Sequence, residues 1–85
     1  MLPDKADFQR VLDSILREMD DKHKSEYIVT SADVHRMAGG YPGPDHRMSL
    51  CCSVMRENMR PGDKIISEPP GGVGATFSIR YKLPR

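Results

Sequence analysis

The chain has 85 residues, 38% of them hydrophobic, with 13 Lys and Arg against 12 Asp and Glu and a formal net charge of +1. That length predicts one small domain with a core that is feasible without staples, since domains of roughly 60 residues or more often fold alone. No apolar run approaches the roughly 18 residues of a membrane span, the N-terminus lacks a basic region followed by an apolar stretch as in a secretory signal, and the net charge is not that of a strongly basic nucleic-acid binder.

The first predicted element is a helix over about residues 5–23. Asp4 suits its N-cap and Asp7 its first turn. Phe8, Val11, Leu12, Ile15, Leu16 and Met19 recur at steps of 3, 1, 3, 1 and 3, one face of an α-helix. Tyr27-Ile28-Val29 is a short β-prone piece. Thr30 or Ser31 then caps a second helix, about 32–38, with Val34 and Met37 inward and Gly39-Gly40 as its stop. The segment from Gly39 to Asp45 is stiff at its prolines and open at its glycines. Within it Tyr41 is placed either to pack over the corner between helices or to serve as a recognition residue.

Asp45 is the expected cap of a third helix, about 46–59. Met48, Cys51, Cys52, Met55 and Met59 lie on one face, and Leu50 and Val54 widen the apolar arc into a second stripe. The adjacent cysteines, Cys51 and Cys52, diverge by about 100° on a helix, which rules out an ordinary disulfide between them. One close pair without a secretory signal fits a reducing cytoplasm. Metal ligation is disfavoured, because structural zinc sites use paired ligands at short separations and His35, His46 and the cysteines do not supply them. Asp33 and Asp45 read as helix-start residues, so their pairing with His35 and His46 is not expected to be catalytic. The chain is read as a non-enzyme without cofactor.

The last third predicts a hairpin over about 63–83. Ala75, Phe77, Ile79, Tyr81 and Leu83 alternate with Thr76, Ser78, Arg80 and Lys82, the period of a strand with one buried and one wet face. Pro69-Pro70-Gly71-Gly72-Val73-Gly74 reads as a flexible tip. It lacks the Gly-Lys-Ser/Thr ending of a phosphate loop. Only residues 1–3 and Pro84-Arg85 read as loose.

This order, α+β with three helices, a short strand and a C-terminal hairpin, resembles the winged helix-turn-helix family over residues 5 to 83. The resemblance implies that the third helix enters the major groove of duplex DNA while the hairpin, the wing, touches the backbone. By position it assigns DNA contact to His46, Arg47, Ser49, Ser53, Arg56 and Arg60 on or beside the third helix, and to Lys64, Arg80 and Lys82 on the wing. The turn between helices 2 and 3 is longer than the three or four residues usual in that family. The charge split is in the expected direction: residues 1–26 hold 5 basic and 7 acidic residues, net −2, and residues 27–85 hold 8 and 5, net +3. The alternative is a protein-interaction module of the same fold, docking a partner or a second copy through helix 1 or through Leu50 and Val54. A second similarity, carried by His35-Arg36, Gly39-Gly40-Tyr41-Pro42, His46-Arg47-Met48 and Cys51-Cys52, is to small bacterial proteins found near HNH-type nucleases. It implies no activity.

Overall fold

A computed structural model describes residues 2–43 and 46–85. Along the chain run α1 (Lys5–Asp21), β1 (Glu26–Thr30), α2 (Ser31–Ala38), α3 (Met48–Glu57), β2 (Lys64–Ser67) and β3 (Ser78–Lys82), with a 3-10 turn at Pro70–Gly72. The strands make one antiparallel sheet in the order β1-β3-β2. β3 is central because its alternation is the strictest in the chain. Phe77, Ile79, Tyr81 and Leu83 are buried against the helices, as the period predicts. Ser78 departs from it: it is buried too, held by Thr30 Oγ1 at 3.4 Å and the Thr76 carbonyl at 3.0 Å.

α1 begins as expected. Asp7 N–H donates to Asp4 at 3.0 Å and Asp4 N–H donates to Asp7 at 2.9 Å, a reciprocal capping box. The Asp4 N–H, with the Arg10 guanidinium, holds the Asp7 carboxyl below the usual carboxylate range. The helix stops at Asp21, earlier than predicted, where Lys22 caps it and His23 turns left-handed at φ 61°.

α2 corrects two expectations. Thr30 is its N-cap but makes no side-chain cap bond. The segment before β3 replaces it: Ser31 N–H donates to Phe77 O at 2.8 Å, Ala32 N–H to Ala75 O at 3.1 Å, and the Ser31 hydroxyl to Gly74 O at 2.6 Å. Tertiary carbonyls thus satisfy donors that a helix start leaves open. Met37 was expected inside and is 61% exposed. Ser31, Val34 and His35 take the inner face instead.

α3 is shorter than the predicted 46–59. Its N-cap is Arg47, without a side-chain bond, and the predicted cap Asp45 lies outside the described residues. Met48, Cys51, Cys52, Val54 and Met55 are buried. Val54 has no exposed surface, so the second apolar stripe is not a docking face. α3 packs against both α1 and α2 and, through Met55 and Tyr81, against the sheet, which encloses more of its circumference than one partner would.

Both cysteines are free and buried. Cys51 Sγ lies 3.5 Å from Ser31 O and Cys52 Sγ 3.6 Å from Gly74 O. Burial, with Cys52 beside it, pushes the Cys51 thiol up to about 12. A thiolate is the reactive species, so native protein should react with an aromatic disulfide reagent at least about 100-fold more slowly than protein in denaturant. Equal rates would place a cysteine at the surface.

The C-terminal residues are anchored rather than loose. Asp63, whose side chain has no exposed surface, accepts from Lys82 N–H at 2.7 Å, Arg60 N–H at 2.8 Å and Arg85 Nη1 at 2.8 Å. Arg85 also donates to Asn58 O and lies over the Tyr81 ring, 5.0 Å from its centroid. The residues after α3, the start of β2 and the end of β3 are therefore gathered on one carboxylate.

Candidate functional site

The outward side of α3 is polar. Ser49, Ser53 and Glu57 are exposed, and the Ser53 hydroxyl donates back to Ser49 O at 2.9 Å. Arg47 stands exposed at the N-terminal end of this stripe, with His46 just before it. The backbone there is fixed from inside the protein by His35, a buried residue. Its Nδ1–H donates to Gly39 O at 3.0 Å and its Nε2 accepts from Arg47 N–H at 2.8 Å. The Gly39 carbonyl can only accept and the Arg47 N–H only donate, so these bonds select the Nδ1–H tautomer. The two ends of the long α2–α3 connection are thus pinned to one ring. Phe8 meets that ring edge-on at 4.9 Å. Tyr41 packs 5.6 Å from it and 5.9 Å from His46, with the Arg36 guanidinium 5.7 Å over the Tyr41 ring. Tyr41 is half-buried and packs over the corner, the first of its two readings.

At the other end of α3, Arg56 was expected to be exposed and is half-buried. Its Nη2 donates to Glu68 at 2.7 Å and to Gly72 O at 2.9 Å, and its guanidinium lies 4.5 Å over the Phe77 ring. The hairpin turn is therefore clasped to α3 instead of forming a flexible tip. Gly72 fits the clasp through its positive φ of 79°, and a Cβ there would come within 3.2 Å of Arg56 and 3.3 Å of Glu68.

Against protein-family models, curated proteins and solved structures alike, the chain finds no match.

The remaining candidates occupy two other places. Lys64 and Arg80 are directly paired across β2 and β3, with Lys82 two residues further along β3. They share the sheet face turned away from the helices, at the base of the hairpin. The connection from Glu68 to Thr76 carries no cation, and its one charge is Glu68. Arg80 is also partly neutralised, 3.5 Å from Glu26. Like charges directly opposite each other are mildly destabilising, and Lys64 has no carboxylate partner among the described residues. Arg60 follows α3 and faces a shallow cleft shared with Asp13, Arg17 and Asp20 of α1. The structure thus brings His46, Arg47, Ser49 and Ser53 together, sets Arg56 in the clasp, and separates Lys64, Arg80, Lys82 and Arg60 from them.

Among the described residues no three His, Cys, Asp or Glu side chains converge as metal ligands. No helix there is long and apolar enough to cross a membrane. Sequence reasoning missed His35 and Asp63 as anchors. His35 carried one usable signal, its place three and four residues after Ala32 and Ser31 on the inner side of α2. Asp63 carried none, because its three partners are distant or backbone groups.

Proposed function

We propose that the chain is a winged-helix domain that binds duplex DNA through the outer stripe of α3. The observation that carries this reading is the polar stripe Arg47, Ser49 and Ser53 standing beside a hairpin turn that Arg56 clasps to the same helix. The element order with the sheet order β1-β3-β2 supports the fold assignment, since a hairpin alongside the third helix is the layout in which both reach one duplex. Hydroxyls and an Arg at a helix N-terminal end suit phosphate and base-edge contact. Lys64, Arg80 and Lys82, at the hairpin base, then play a lesser part than a wing tip would.

Fluorescence anisotropy with a labelled duplex of mixed sequence tests this at two salt concentrations. Binding should weaken as salt rises, and Arg47→Ala should lower the slope of log K against log salt by about 0.9 if one phosphate contact is lost. Arg80→Ala with Lys82→Ala should change the slope less. No binding at about 50 mM salt and tens of micromolar protein would sink the proposal, since non-specific affinities are typically about 10⁻⁴ to 10⁻⁶ M even at physiological salt.

A further inference from the structure

The three helix starts are held by three kinds of acceptor. α1 is closed by the carboxylates of Asp4 and Asp7, and α2 by the backbone carbonyls of Ala75 and Phe77. Acceptors of these kinds persist at any pH above about 5. α3 receives no side-chain bond from its N-cap, Arg47. Two N–H groups at its start end on imidazoles instead, Arg47 N–H on Nε2 of His35 at 2.8 Å and Met48 N–H on Nδ1 of His46 at 3.3 Å. A neutral imidazole has one acceptor nitrogen, and a protonated one has none. Histidine is also the side chain that ordinarily changes charge between about pH 5 and 8. Of the three helix starts, α3 is therefore the one whose bonds a mild fall in pH removes.

The His35 bond matters more, since it is the shorter and its ring has no exposed surface, while His46 is exposed. The Nδ1–H of the same ring donates to Gly39 O at 3.0 Å, and protonation leaves that bond intact. A proton on Nε2 would face Arg47 N–H, donor against donor. The surroundings offer it no other acceptor. The two imidazoles stand 6.1 Å apart, and Tyr41 lies 5.6 Å from His35 and 5.9 Å from His46. The Arg36 guanidinium, paired with Asp33 at 3.0 Å, covers the Tyr41 ring. α1 contributes the Phe8 ring, and Leu2 and Pro3 flank Gly40 beside His35. The Cys51 thiol of α3 is turned to Ser31 O, one turn before His35. Among the described residues no carboxylate bonds either imidazole, and Asp45 lies outside them.

We propose that the junction of His35 with Arg47 is a pH-operated latch on the N-terminal end of α3. With His35 neutral the latch is closed. When the ring takes a second proton, Arg47 N–H loses its acceptor, the ring and the backbone of Arg47 part, and the first turn of α3 frays while Gly39 can stay bonded. The open form binds one proton more than the closed form, so acid favours opening, by up to about tenfold for each pH unit. This goes beyond the proposed DNA reading and does not depend on it, because the stripe headed by Arg47 is ordered or frayed whatever binds there.

NMR of the free protein tests the latch. At neutral pH the imidazole nitrogen shifts should show the His35 proton on Nδ1 and a bare Nε2. A proton on Nε2 overturns the proposal, and that measurement needs no variant. Amide exchange, expressed relative to an unstructured chain at the same pH, should show Arg47 and Met48 losing at least about tenfold of their protection between about pH 7 and pH 5.5, in step with proton uptake at His35. At every pH Arg47 should be at least about tenfold less protected than Ile79 and Tyr81 of β3, because the latch opens without the sheet. His35→Gln keeps an acceptor at every pH and should abolish the loss at Arg47, and Asp45→Asn should leave it in place. Constant protection at Arg47 down to about pH 5, protection equal to that of β3 throughout, a loss that persists in His35→Gln or one that vanishes in Asp45→Asn each overturns the proposal.

Discussion

Asp63→Ala is expected to cost about 3–5 kcal/mol of stability, the usual range when one partner of a buried charge pair is removed. The substitution strips the acceptor from two backbone N–H groups, those of Arg60 and Lys82, and leaves the Arg85 guanidinium, itself 12% exposed, without its carboxylate. Urea denaturation at neutral pH measures the loss. Arg85→Ala should cost less, because Asp63 would keep both backbone donors. The same site predicts an acid response. Burial pushes the Asp63 carboxyl up, but the N–H groups of Lys82 and Arg60 and the Arg85 guanidinium outweigh it and hold the group below the usual carboxylate range. A carboxyl with a depressed folded value stabilises the protein above its unfolded value of about 3.9, and that stabilisation fades as pH falls through the folded value. The stability gap between wild type and Asp63→Asn should therefore be full at pH 7 and should shrink below about pH 4. A gap that is the same at pH 3 and pH 7 would show that the charge of Asp63 is not what anchors the strands.

His35→Ala is expected to cost about 3 kcal/mol or more, from lost core packing and from two backbone groups left without partners. Gly39 O and Arg47 N–H both end on this ring, and among the described residues no other side chain bonds both. For a domain of this size about 3 kcal/mol corresponds to a fall in Tm of roughly 12–24 °C. The effect should also reach the outer surface. Arg47 is the N-cap of α3, so its amide should lose protection from exchange; under the proposed function, duplex affinity would also fall further than the stability loss alone accounts for. His35→Gln, which can still donate and accept, should recover part of both. Wild-type stability in His35→Ala would mean that the α2–α3 connection is held by other contacts.

Local rules made much of the architecture legible. The capping box at Asp4 and Asp7, the apolar face from Phe8 to Leu16, and the alternation of Phe77, Ile79 and Tyr81 each depend on neighbours within one turn or one strand. Periodicity records such local demands directly, because a residue facing the core must be apolar whatever the core contains. The stretch from Met48 to Met55 was legible as a helix for the same reason.

Other features depended on partners far away in the chain. Val54 reads like Leu50 by spacing, yet it is enclosed while Leu50 is half-buried, because α1, α2 and the sheet surround α3 unequally. Met37, expected inside, stands exposed and His35 takes an inner place on α2, since polarity predicts burial poorly when a polar ring has both its nitrogens bonded. Arg56 has the sequence of an exposed contact residue, and only the nearness of Glu68, Gly72 and Phe77 turns it into a clasp. Arg85 looks loose until Asp63 stands beside it. By itself the sequence determined where helices and strands form and which face of each is apolar, because those are properties of a few neighbouring residues. Pairs such as Asp7 with Arg10 follow from helical spacing, but tertiary structure decided how Arg56, Asp63 and Arg85 are tied, since an ion pair or a buried hydrogen bond between distant residues depends on distance in space and not on separation along the chain.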